Sequence, residues 1–220
     1  MKRFVLYAEG AGELGSTPGH PLAPGRVLPA ELEGPAHVLV RRCCRELLDV
    51  AEHALRFEAP LRHAAREVRG GDLRNSKVLR RVLHWADPSM RPDVAIVLVD
   101  QDGEEDRRSR LATWIGDPLP TTPVVLGVAV EEFEAWLITD HAAVNLVLEL
   151  REDPWVKTES MRPGHAKERL GRLVQASRRG ASAPELRLEL AKQLDLQRAR
   201  AASRSFDRFI TDLKQAVARH

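Results

Sequence analysis

VAIVLVDQDGEEDRRSR, residues 94–110, is the stretch on which the fold turns. Val94 to Val99 is an unbroken apolar run, the pattern of a central strand covered on both faces. It ends on two acids one residue apart, Asp100 and Asp102, followed by Gly103 and then by residues 104–115, which read as a helix. Working outward, FVLYA (residues 4–8) reads as a buried first strand, FEAPL as a short second one, and VVLGVAV (residues 124–130) as a last one. Helical periodicity fills residues 38–54 and 76–86, and the EEFEAWLITD segment reads as a helix entered directly from the last strand. Alternating strands and helices predict an α/β fold, a mostly parallel sheet flanked by helices. Residues 10–37 are rich in glycine and proline, lack periodicity and read as a long loop. After Asp140 only helical patterns remain, at 141–150, about 164–177, 184–193 and 204–218. The expected organisation is an α/β domain over residues 1–140 and a C-terminal helical appendage over residues 141–220.

The chain has 220 residues, 43% hydrophobic and 30% charged, enough to bury a sizeable core. No apolar run approaches the roughly 20 residues of a membrane span, and the N-terminus lacks a signal-peptide pattern. The two cysteines, Cys43 and Cys44, are adjacent and have no second pair with which to form a zinc site. A cytoplasmic protein with reduced thiols is expected. The net charge of +2 conceals an asymmetry: residues 1–150 hold 18 Lys and Arg against 23 Asp and Glu, and residues 151–220 hold 16 against 9. A basic tail suits a polyanion, and equally suits solvated helix faces rich in arginine.

In an open α/β sheet, ligands bind beyond the carboxyl ends of the strands. Three predicted strands end there in acid: the first at Glu9, the third at Asp100 and Asp102, the last at Glu131, Glu132 and Glu134. Residues two apart on an extended segment point the same way, so Asp100 and Asp102 can face one site. Clustered carboxylates repel and raise each other's pKa unless a cation is present, and hard ions such as Mg²⁺ or Mn²⁺ take oxygen ligands. The same acids also suit helix caps, turns and the positive N-terminus of a helix. On the last helix, Glu131 and Glu134 are expected to share a face beside a buried stripe of Phe133, Trp136 and Leu137.

The strand-Glu-Gly at Tyr7-Ala8-Glu9-Gly10 and the strand-Asp-x-Asp-Gly at Asp100–Gly103 resemble the Toprim domain shared by topoisomerases, primases and overcoming-lysogenization-defect nucleases. The EEFEAWLITD segment resembles a smaller Toprim-like family of uncharacterised bacterial proteins, with a Glu-Ala-Trp helix after the last strand. The resemblance spans roughly residues 3–140, with looser echoes at Lys167 and at SRSFDRFITDL. It implies Mg²⁺- or Mn²⁺-dependent phosphodiester chemistry centred on Glu9, Asp100 and Asp102. It further implies that Glu13, four residues after Glu9, and Glu134 join them on metal, and that Lys167 supplies positive charge. The long Pro/Gly-rich stretch after Glu9 departs from relatives that go almost directly into a helix. The only tyrosine, Tyr7, lies inside the first strand, which argues against topoisomerase chemistry.

Two functions follow as expectations. One is a Toprim-like nuclease acting on nucleic acid, DNA first, in a bacterial defence setting with a separate ATPase, since GxxxxGK[ST] is absent here. The other is a non-catalytic module of the same fold that binds a partner. A third reading, a phosphate hydrolase acting on a small substrate, uses the same acids. Trp136 reads as core, Phe206 and Phe209 as the docking face of the last helix, and His165 and His20 as weak phosphate candidates.

Overall fold

A computed structural model describes residues 1–15, 22–64, 66–116, 120–150, 164–177 and 179–219. Its four strands are β1 (Lys2–Ala8), β2 (Leu55–Glu58), β3 (Val94–Asp100) and β4 (Val124–Ala129). They form one all-parallel sheet in the order β2-β1-β3-β4. The helices are α1 (Ala11–Leu14), α2 (Pro35–Arg42), α3 (Ser76–Leu83), α4 (Arg107–Gly116), α5 (Phe133–Leu137), α6 (His141–Leu148), α7 (His165–Ala176), α8 (Ala183–Gln193), α9 (Leu196–Ala202) and α10 (Arg204–Ala218). The α/β expectation holds, and the C-terminal helices pack on the sheet. Among the described residues no helix is long and apolar enough to cross a membrane.

Side chains alternate across the pleat, so the sheet carries two apolar layers. Phe4, Leu6 and Ala8 of β1 with Val94, Ile96 and Leu98 of β3 face α2 and the C-terminal helices. Val5 and Tyr7 with Ala95, Val97 and Val99 face α3 and α4. All seven residues of β3 are buried, which is what its unbroken apolar run requires.

Helix α10 docks on β4 through aromatic packing. Trp136 stacks on Phe209 at 5.4 Å between centroids and lies 5.3 Å from Phe206 at a tilt, and its indole N–H donates to Ser205 Oγ at 2.8 Å. These three aromatics are therefore core, as read from the sequence. Gly127 makes the packing possible: a Cβ there would lie 2.3 Å from Leu98 Cδ2, 3.1 Å from Phe209 and 3.3 Å from Trp136. Buried Asp140 ties two further helices together, accepting from the backbone N–H of Ala142 at 3.2 Å and of Asp195 at 2.9 Å, and from Arg198 at 2.9 Å.

The structure departs from the sequence reading locally. The stretch over residues 10–37 contains α1 and a 3-10 turn at Ala30–Leu32; His20 lies outside the described residues. The helix expected over 38–54 starts earlier, with Pro35 at its first turn, where a missing N–H costs nothing. It passes into a π turn at Cys43–Leu47 and stops before Asp49, whose φ is 55°. Both cysteines are buried and free, and burial pushes the Cys44 thiol up to about 12. Helix α9 was not anticipated. The last-strand helix is short, because Glu131 is left-handed (φ 69°) and Glu132 extended, so helical backbone begins only at Phe133. The expected shared face of Glu131 and Glu134 therefore does not exist.

Two glycines should separate packing from propensity. Gly127→Ala should destabilise by about 1–3 kcal/mol through overpacking. Gly171→Ala, on α7 with nothing within 4 Å of its added Cβ, should stabilise by about 0.5–1 kcal/mol. Thermal or urea unfolding of both variants reads the opposite signs.

Candidate functional site

The chain leaves β1 for β2 on one side and returns to place β3 on the other, so the strand order reverses between β1 and β3. That is the topological switch point, where open α/β sheets bind ligands. Glu9 follows β1 and Asp100 ends β3, side by side: Glu9 N–H donates to Leu98 O at 3.1 Å, and Asp100 N–H donates to Glu9 Oε2 at 3.2 Å. Asp102 is at the same edge but not on extended backbone. Asp102 and Gly103 both take left-handed conformations (φ 52° and 74°), which turn the chain out of the sheet. The two aspartates therefore do not point the same way, contrary to the extended-segment expectation, and their carboxylates enter different clusters.

The first cluster is arginine-clamped. Arg107, at the start of α4, is 1% exposed. It donates to Glu9 Oε2 at 2.7 Å and to Asp102 Oδ2 at 3.1 Å. Arg74, just before α3, is half-exposed and reaches the same two carboxylates, Glu9 Oε1 at 2.7 Å through its Nε, and Asp102. Two acids meet two guanidiniums.

The second cluster gathers Glu13, Asp100, Glu132 and Glu134, all buried. Asp100 Oδ1 accepts the Phe133 N–H at 2.8 Å, capping α5, while Oδ2 faces Lys167 Nζ at 3.7 Å. Glu132 accepts the Lys167 backbone N–H at 2.8 Å, which caps the first turn of α7, and lies 3.4 Å from Lys167 Nζ. Glu134 pairs with Arg187 of α8 through Oε1 at 2.9 Å, and its buried Oε2 has no hydrogen-bond partner among the described residues. Glu13 sits on α1, folded back so closely that a Cβ on Gly10 would lie 2.4 Å from its Oε1. Glycine at position 10 is the condition for that placement. Glu131 stands half-exposed beside this cluster, near His165.

The charge ledger of the second cluster does not balance. Four carboxyls face two cations, Lys167 and Arg187. Burial pushes Glu13 up to about 9, reinforced by Asp100 and Glu134. Burial likewise pushes Asp100 to about 7, with Lys167 and the Phe133 N–H opposing and Glu134 and Glu9 adding. Burial lowers Lys167, but the pull of Glu134, Asp100 and Glu132 outweighs it and leaves the ammonium above its ordinary value. Protons on Glu13 and Asp100 thus stand in for missing positive charge.

All six expected site residues, Glu9, Glu13, Asp100, Asp102, Glu134 and Lys167, lie at this sheet edge. Sequence reasoning did not single out Arg74, Arg107 and Arg187 as their partners, and left the role of Glu132 open. The signal available was electrostatic: acids buried at one edge need cations, and the arginine-rich segment at 106–110, directly after the Asp-x-Asp, is the first place to look. Among the described residues no three His, Cys, Asp or Glu side chains already converge on a point that would hold a metal. The donor set of the second cluster, hard oxygens with one unpartnered, is nevertheless of the kind Mg²⁺ and Mn²⁺ take.

The chain matches the family described as Domain of unknown function (DUF4276) over residues 32–214, and it belongs to that family. No curated protein and no solved structure matches it. Asp100, Asp102, Glu134 and Lys167 lie inside the matched region, whereas Glu9 and Glu13 precede it.

Two measurements test the electrostatics. Arg107→Met removes a buried guanidinium and should cost near the lower end of about 3–5 kcal/mol, since Arg74 still serves both acids. Arg74→Met, at the surface, should cost under about 1 kcal/mol, and urea unfolding distinguishes the two. Glu13 and Asp100 hold protons to higher pH when folded (about 9 and about 7) than at their ordinary values of 4.5 and 3.8. The folded chain binds more protons across that window, so these two groups make stability fall as pH rises from about 4 to about 9. In chelator, Glu13→Gln should flatten the decline in melting temperature; an unchanged slope would show that Glu13 does not carry it.

Proposed function

We propose that this member of the DUF4276 family is a Toprim-like, Mg²⁺- or Mn²⁺-dependent nuclease that cleaves phosphodiester bonds of DNA. The observation that carries the reading is the charge deficit of the second cluster: four buried carboxyls, two cations, and an unpartnered oxygen on Glu134. Glu13, Asp100 and Glu134 would hold the ion. Bound there, a divalent cation supplies Lewis-acid charge for an in-line phosphoryl displacement.

The residues around that position have separate tasks. The Lys167 ammonium, 3.7 Å from Asp100, brings positive charge to where a phosphoryl transition state gathers negative charge. Glu9 is oriented by Arg74, Arg107 and the Asp100 N–H, and would accept the proton of the attacking water. Asp102 fixes both arginines opposite Glu9, so in this reading it orients them and is not itself a metal ligand. An ATPase on a separate chain and a bacterial defence setting remain part of the proposal on the strength of the resemblance.

One observation favours a second reading, a non-catalytic Toprim-like module that binds a partner: Glu9 and Asp102 are already neutralised by arginines. Calorimetric Mn²⁺ titration beside plasmid and single-stranded DNA cleavage decides. The nuclease reading expects Mn²⁺ binding and cleavage in the wild type, cleavage lost at least 100-fold in Asp100→Asn, and Mn²⁺ affinity weakened in Glu134→Gln. Mn²⁺ binding without cleavage supports the module; absence of both sinks the metal centre.

A further inference from the structure

Beside the acidic crevice, beyond the carboxyl ends of β3 and β4, runs an open groove of about 670 Å³ between α4 and α10. Its polar lining is Gln101, Arg108, Ser109, Arg204, Ser205 and Arg208, with Val128 and Val130 as its floor. One acid, Glu105, also lines it. Gln101 of the lining sits between Asp100 and Asp102 in the chain, so the groove borders the turn that carries both acids.

Three arginines, Arg108 on the α4 wall and Arg204 and Arg208 on the α10 wall, converge on this groove. Arg108 is braced: it donates to Leu126 O at 2.7 Å and pairs with Asp212. Burial lowers its pKa, Asp212 opposes this, and the Arg208 guanidinium lowers it further. Arg204 and Arg208 are exposed, stand one helical turn apart on α10, and have no ion pair among the described residues. Two exposed guanidiniums across the groove from a braced third match a run of phosphates, and Arg is the side chain suited to them.

We infer that the groove between α4 and α10 binds the sugar–phosphate backbone of a DNA strand through Arg108, Arg204 and Arg208 and leads it to the acids at the switch point. The delivery to the acids rests on the nuclease reading; the binding itself does not. Because contact is with phosphates, binding is independent of base sequence and falls steeply with salt.

The test is fluorescence anisotropy of a labelled single-stranded oligodeoxynucleotide, titrated with the full chain in chelator over a range of salt. Wild type should bind, with log K falling linearly in log salt. Arg204→Gln/Arg208→Gln should weaken binding about tenfold or more at low salt and reduce the slope by about 1.4, roughly 0.7 per guanidinium on a single strand. Arg204→Lys/Arg208→Lys, which keeps the charge, should restore most of the slope, and this excludes misfolding as the cause. No binding by wild type, or equal affinity and slope in the Gln variant, overturns the inference. Since no divalent ion is present, the two readings fail separately. Mn²⁺ binding without oligonucleotide binding refutes the groove alone; oligonucleotide binding through these arginines without Mn²⁺ binding or cleavage refutes the nuclease alone.

Discussion

Buried carboxylates at the carboxyl edge of one parallel sheet dictate much of the rest of this structure. Glu9, Glu13, Asp100, Glu132 and Glu134 are brought together because the strand order reverses between β1 and β3. An unpaired charge removed from water costs several kcal/mol. Each acid must therefore meet a cation, a backbone N–H or a proton. The cations come from four places far apart in the chain: Arg74, Arg107 on α4, Lys167 on α7 and Arg187 on α8. Electrostatics at the edge thus join apolar packing in seating two C-terminal helices, α7 and α8. The aromatic contact of α10 with Trp136 supplies the complementary anchor on β4.

The arrangement divides one row of acids into two chemistries. Glu9 and Asp102 are ionic partners of arginines, balanced and oriented. Glu13 and Asp100 are short of positive charge and take it up as protons. Asp100 has a structural task as well, capping α5 through Oδ1, so the cap and the site share one residue. Asp100→Asn keeps an oxygen for the Phe133 N–H and removes only the charge, which makes it the informative substitution at that position.

The strands and their order of appearance were legible in the sequence because buried parallel strands are continuous apolar runs, and the acids at their ends because each follows such a run directly. The helix of residues 131–140 was overextended because nothing in Glu-Glu announces a left-handed Glu131. Helix α1 was hidden inside a stretch whose glycines and prolines suggest only loop. The arginine partners were not legible individually: Arg107 and Glu9 are 98 residues apart, and arginine is too common in this chain for any one to stand out. Pairing over that distance is a property of the folded edge, visible in the sequence only as a demand for positive charge.

At Asp102, charge and backbone shape can be separated by the choice of substituent. Its left-handed φ of 52° is tolerated by Asn and Asp far better than by other L-residues. An asparagine there keeps the chain reversal and hands Arg74 and Arg107 a neutral oxygen. An alanine adds conformational strain to the lost ion pairs, so its effect mixes two causes. Variation tolerated at this position should therefore run along Asp, Asn and Gly, the residue types that can make the turn, whatever chemistry the neighbouring acids perform.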